Sequence, residues 1–95
     1  MVFENEDFIA FNDIQPVAPI HIVVVPKVHD SNLSEFAANS RANFLDAISL
    51  TAKTFSHNGY RVIFNTGSDA GQTVFHVHAH ILAGERLSGL NGNVE

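Results

Sequence analysis

Residues 76–82 read His76-Val77-His78-Ala79-His80-Ile81-Leu82, three imidazoles two apart in an otherwise apolar stretch. A strand puts alternate side chains on one face, so His76, His78 and His80 are expected to point one way. Phe75, Val77, Ala79 and Ile81 are then expected to point the other way, into a core. Neighbouring histidines stand about 6.5 Å apart at this spacing, in a row about 13 Å long. Packing gives no reason for such a row. Two chemistries suit it. Zinc takes neutral imidazole in tetrahedral geometry, but three rings in a line converge poorly on one ion, and the triad contains no acid. Nucleophilic and acid–base work on a phosphate suits imidazole near neutral pH.

The segment in front of the triad favours the second. Gly67-Ser68-Asp69-Ala70-Gly71-Gln72-Thr73 holds two glycines and several hydrogen-bonding side chains. Glycine lets backbone amides approach an anion closely. Asn65 and Gln72, at the two ends of this loop, can both donate to oxygens. Ordinary hairpin chemistry accounts for the same loop if the histidines are ignored.

The elements that must position these residues follow from pattern. Val2 to Glu4 and Phe8 to Phe11 read as a hairpin turned by Asn5-Glu6-Asp7. Asp13 to Pro19 carries two prolines and reads as a loop. Ile20 to Val25 is β-branched on both faces and closed by Pro26, which predicts a buried central strand. Phe44, Leu45, Ile48, Ala52 and Phe55 recur at helical spacing, predicting an amphipathic helix from about Ser40 to Ser56, stopped at Asn58-Gly59. Tyr60 to Asn65 and Thr73 to Ala83 read as two further strands. The order β-β-β-α-β-β predicts an α+β domain over residues 1–95, a five-stranded antiparallel sheet with one main helix packed on it.

Composition narrows the partners. The chain has 95 residues, five Lys and Arg against ten Asp and Glu, a formal net charge of −5, and no cysteine. A nucleic acid needs a basic groove, and these few bases are scattered. No apolar run approaches the ~18 residues of a membrane span. The acidic start, Met1 to Asp7, is unlike a signal peptide. A cytoplasmic protein with a small phosphate-bearing ligand is expected.

The residues 76–82 also match the histidine triad (HIT) pattern, His-φ-His-φ-His-φ-φ with φ apolar, at every position. The run from Asn65 to Gly84 resembles the Hint branch of that family nearly residue for residue, and Ala10 to His29 resembles the family's other characteristic segment. Ala83-Gly84 follows the triad where dinucleoside polyphosphate hydrolases typically carry Pro-Arg. The chain starts inside the family's usual first strand, and Ser88 to Glu95 departs from the tail of some Hint relatives. The resemblance implies a five-stranded HIT fold and a purine nucleoside phosphoramidase working through a nucleotidyl-histidine, with no metal or other cofactor. It implies His78 as nucleophile, His76 and His80 flanking it, and His21 as a fourth histidine behind them. On its own residues, His21 reads better as a buried, hydrogen-bonded core histidine. Asp13 is implied to take the ribose hydroxyls. Phe11, Ile14 and Val23 are implied to line the base pocket, and Asn65, Gly71, Gln72 and Thr73 to hold phosphate oxygens. The implied partners are a purine nucleotide such as AMP or GMP and a second copy of the chain. Dinucleoside polyphosphate hydrolysis, and nucleotide binding with little turnover, stay open as alternatives. His29 and His57 receive no role.

Overall fold

A computed structural model of the protein describes residues 2–87, 89 and 94. Five strands, β1 (Phe3–Glu4), β2 (Phe8–Asn12), β3 (Ile20–Pro26), β4 (Arg61–Ile63) and β5 (Ala79–Ala83), form one sheet in the order β1-β2-β3-β5-β4. Every adjacent pair is antiparallel. A single long helix, α1 (Ala38–Phe55), lies between β3 and β4 in the chain, with short 3₁₀ turns at Leu33–Glu35 and Ser68–Ala70. The expected α+β class and element order are therefore found. Among the described residues no helix is long and apolar enough to cross a membrane.

Register explains why one sheet can carry both a core and a site. Ala10 pairs with Val24, Val24 with Ala79 and Ile22 with Ile81, so these residues share a face. That face meets Phe44, Ile48 and Ala52 of α1 in the buried core. One residue out of step, Phe11 pairs with Val23 and Val23 with His80, so these three line up across the opposite face. The period-two alternation of β3 thus supplies apolar residues to the helix and a floor to a cleft. Leu45 and Phe55, expected on the buried stripe of α1, are 57% and 42% exposed, because the helix meets the sheet along one side only.

The strands flanking the helix-to-triad loop are shorter than expected. Tyr60 to Asn65 contracts to Arg61–Ile63, and Thr73 to Ala83 contracts to Ala79–Ala83. His76 and His78 therefore precede the ladder instead of sitting in it. The pairing of β3 with β5 stops at Val24–Ala79, and two positions further along β3 lies Pro26, which has no N–H to offer. The chain finds another partner there: Val77 donates its amide to the Asp30 carbonyl at 2.7 Å. Val77 is buried as expected, whereas Phe75 is 58% exposed.

β5 is followed by Gly84, whose φ is +95°. A Cβ there would stand 2.9 Å from Cβ of Pro19, so glycine is required both by the backbone and by the close approach of the loop before β3. At the other end of the sheet, the Asn5 side chain turns the first hairpin, accepting from the amides of Asp7 at 2.7 Å and Phe8 at 3.0 Å.

Candidate active site

The site face of the sheet is the floor of a cleft of about 390 Å³, within the usual range of ~300–1,000 Å³ for small-molecule sites. Its walls include Phe11, Asp13, Ile14 and Val23, together with all three triad histidines. Gln15, Val25 and Val74 also line it, and sequence reading gave them no part. The apolar wall suits a flat ring system, and the histidines gather at the polar part of the cleft.

Each histidine's tautomer, in the neutral ring, follows from what its ring nitrogens touch. His78 Nδ1 lies 2.7 Å from the His76 carbonyl. A carbonyl oxygen only accepts, so Nδ1 carries the proton and, in the neutral ring, Nε2 carries the lone pair. His78 is buried, with 8% of its surface accessible, yet its ring lines the cleft. A neutral imidazole with a fixed, available Nε2 lone pair is a nucleophile or a base.

A second chain of bonds fixes His80. The Val17 amide donates to His21 Nδ1 at 3.2 Å. The neutral His21 ring therefore carries its proton on Nε2, which is 2.9 Å from His80 Nδ1. His80 accepts there, and its own proton sits on Nε2. Asp13 closes this group: its Oδ2 lies 3.4 Å from His21 Nε2 and 4.0 Å from His80 Nδ1. Its Oδ1 accepts from the Gln15 amide at 2.8 Å, which shapes the loop after β2. His21 is thus both things the sequence allowed, a hydrogen-bonded core residue and a neighbour of the triad. The rings of His78 and His80 stand 5.1 Å apart, edge to face. His78 offers a lone pair and His80 a proton, side by side.

His76 lines the same cleft, but its ring nitrogens are bonded away from the other two rings. Its Nε2 donates to the Pro26 carbonyl at 2.8 Å, and its Nδ1 lies 2.8 Å from Nδ1 of His29. The His29 contact is absent from any sequence reading because the two residues are 47 positions apart and only the fold joins them.

The residues expected at the phosphate sit as follows. Gln72 is buried, accepting from the Gly67 amide at 2.8 Å and donating to the carbonyls of Ser31 at 2.7 Å and Val74 at 3.0 Å. Asn65 donates to the Val94 carbonyl at 2.6 Å. Gly71 takes a left-handed conformation at the end of the 3₁₀ turn, and Thr73 is exposed just beyond it. Of the tail segment Ser88 to Glu95, only Gly89 and Val94 fall among the described residues.

Asp13, His21 and His80 are close enough together for a metal ion to be considered. The 2.9 Å between His21 Nε2 and His80 Nδ1 is a hydrogen-bond length, however. Nitrogens bound to one tetrahedral zinc at about 2.0–2.1 Å stand roughly 3.3 Å apart, so the pair as it stands fits a shared proton better than a shared ion.

The arrangement is that of a domain that binds a small ligand over a sheet and presents histidines to it. Residues 1–87 match the model of the HIT domain family. The chain is 40% identical over 93 residues to an uncharacterised HIT-like protein of Chlamydia muridarum, a match covering 94% of this chain and 74% of the relative. It is similar to a histidine triad protein from Clostridium difficile at a TM-score of 0.83 and 43% identity, covering 95% of this chain and 83% of that one. It is also similar to a HIT family hydrolase from Legionella pneumophila at a TM-score of 0.84 and 36% identity, with 92% and 82% covered. The chain belongs to the HIT family.

Burial holds the His21 pKa below the ordinary value of 6.5, against the opposing pull of the Asp13 carboxylate. Between the lowered folded value and 6.5 the unfolded chain binds more protons than the folded one, so stability rises with pH through that window. This contribution is full above 6.5 and is lost as the pH falls toward the folded value. We expect Tm to fall on going from pH 7.5 to pH 5.5, and to fall less steeply in His21→Gln, which keeps a donor for His80 but cannot titrate. Parallel Tm–pH profiles for the two proteins would contradict the assignment.

Proposed function

We propose that this protein is a cytoplasmic hydrolase acting at the α-phosphorus of purine nucleoside phosphoramidates, of the adenosine 5′-phosphoramidate type, through a nucleotidyl-histidine intermediate. The single observation that carries it is the bond from His78 Nδ1 to the His76 carbonyl, which leaves the Nε2 lone pair available at the cleft. The similarity to a solved HIT family hydrolase supports a hydrolytic reaction. Ala83-Gly84 after the triad favours phosphoramidates over dinucleoside polyphosphates. Residues 1–95 act together as one nucleotide-binding domain.

In this mechanism Nε2 of His78 attacks the α-phosphorus as the bond from phosphorus to the amine breaks. The nitrogen leaves as the neutral amine with a proton taken up from solvent, steadied by a hydrogen bond from the Nε2–H of His80, whose position the Val17–His21 chain dictates. Water then attacks the same phosphorus, the bond to His78 breaks with its electron pair returning to Nε2, and the water's proton passes to solvent as the nucleoside monophosphate leaves. Splitting one displacement into two is the gain of covalent catalysis. Phe11, Ile14 and Val23 hold the purine, and Asp13 takes the ribose hydroxyls with the oxygen not bound to Gln15. Thr73 offers donors to the phosphate, while Gly71, whose amide donates to the Ser68 carbonyl at 3.0 Å, shapes with Gln72 and Asn65 the loop that does so.

A homodimer completes the proposal. β4 is an edge of the sheet, Tyr60 and Val62 are exposed beside and on it, and Leu45 is exposed on α1. Covering an apolar edge and helix face with a second copy is the commonest solution for a small domain. Light scattering is expected to report a dimer at micromolar concentration for the wild type and a monomer for Val62→Asp/Leu45→Asp; a wild-type monomer at about 100 µM would contradict it.

The catalytic assignment is tested with adenosine 5′-phosphoramidate. His78→Ala is expected to lose at least 100-fold in kcat while AMP binding stays within about tenfold, since other groups hold the nucleotide. A variant retaining more than a few per cent of activity would overturn the assignment. In the same assays Asp13→Ala should weaken AMP by about 1.5–3 kcal/mol, the usual value of a hydrogen bond to a charged group, and weaken the 2′,3′-dideoxy analogue less.

A further inference from the structure

Nothing in the reaction above uses His29, yet it holds a ring nitrogen against the first histidine of the triad. His76 has both nitrogens engaged within the protein, Nε2 on the Pro26 carbonyl and Nδ1 on His29 Nδ1, each at 2.8 Å. The Pro26 carbonyl can only accept, so His76 carries its proton on Nε2 and, when neutral, has a lone pair at Nδ1. The proton between the two rings must then come from His29. Their centroids stand 4.7 Å apart at 67°, so the bond is reinforced by an edge-to-face contact.

His76 therefore has no ring nitrogen left for a phosphate. What it gives the site is its main chain: the same residue's carbonyl accepts from His78 Nδ1. That carbonyl lies on backbone outside the ladder, since β5 begins only at Ala79. Residues 72–77 are held instead by the segment after β3, through Gln72 to Ser31, Val77 to Asp30, and His76 to Pro26 and His29. The Val77 amide holds the plane of the peptide that carries the orienting carbonyl, and the two His76 ring contacts hold the residue on the other side of that carbonyl carbon.

We propose that His29 is a positioning residue for His78, acting through His76: by donating to His76 Nδ1 it clamps that ring, and with it the carbonyl that keeps the proton on His78 Nδ1 and the lone pair on Nε2. The inference rests on His78 being the nucleophile, and its test has a readout that does not depend on turnover. An error of about 1 Å in the placement of a reacting group can cost up to 10²-fold in rate, so a loosened carbonyl should appear in kcat and not in KM.

Because His29 is exposed, substitutions there leave the core untouched. His29→Phe keeps a ring edge but has no proton to donate. His29→Asn places an amide N–H where Nδ1 stood. The Phe variant is expected to lose about tenfold in kcat with KM within about twofold, and the Asn variant to keep at least half of wild-type kcat. In substrate-free protein carrying ¹⁵N-labelled histidine rings, His78 should be a single Nδ1–H tautomer in the wild type and the Asn variant, and a mixture of tautomers in the Phe variant. An unchanged single tautomer in the Phe variant overturns the proposal whatever the kinetics, as does an equal loss of kcat in both variants. A wild type that turns over no phosphoramidate, with the tautomer change intact, counts against the proposed reaction and leaves the clamp standing.

Discussion

The bond between His78 Nδ1 and the His76 carbonyl decides what the site can do, because it settles which nitrogen holds a lone pair. Imidazole has two equivalent-looking nitrogens and no preference strong enough to choose one in water. A carbonyl oxygen 2.7 Å from Nδ1 chooses, since it can accept and never donate. The same logic runs through the neighbouring rings. Pro26 fixes the proton of His76 on Nε2, and the Val17 amide fixes the proton of His21 on Nε2. His80 is then set by His21. Backbone groups at three points of the fold thus write the protonation pattern of four histidines, with no need for a strongly charged site.

The sheet makes those backbone groups available. β3 is the element common to both halves: its Ile22 and Val24 pack toward the helix, Val23 and His21 belong to the other face, and Pro26 ends it with a carbonyl for His76. Ending the β3–β5 ladder before the first two histidines has a consequence. Within the ladder the His76 carbonyl would be drawn toward strand pairing; outside it, the carbonyl is free to serve His78. The cost is that residues 72–77 must be anchored by side chains and single amides, which is why a buried Gln72 and the otherwise idle His29 lie where they do.

Much of this was legible in the chain. The β-branched run of Ile20–Val25 gave the central strand, helical spacing gave α1 to within two residues, and three histidines at period two gave the location of the cleft. Alternation misled at Thr73–His78, because a strand pattern says nothing of whether a partner strand extends far enough, and here Pro26 lies opposite. The exposure of Phe75 follows from the same fact. His21 could be read two ways because β3 needs its residue buried and the triad needs its Nε2; the structure meets both demands with one ring. His29 left no signal at all. Nothing in a Pro-Lys-Val-His segment shows that it meets a residue 47 positions away.

The central claim is that Nε2 of His78 becomes bonded to phosphorus. Rapid mixing of excess wild-type protein with adenosine 5′-phosphoramidate, quenched into alkaline denaturant and followed by peptide mass spectrometry, tests it most directly. A nucleotidyl group carried by His78 during the single turnover is the predicted result. A nucleotidyl group found on His76, on His80 or on a residue outside the triad would contradict it.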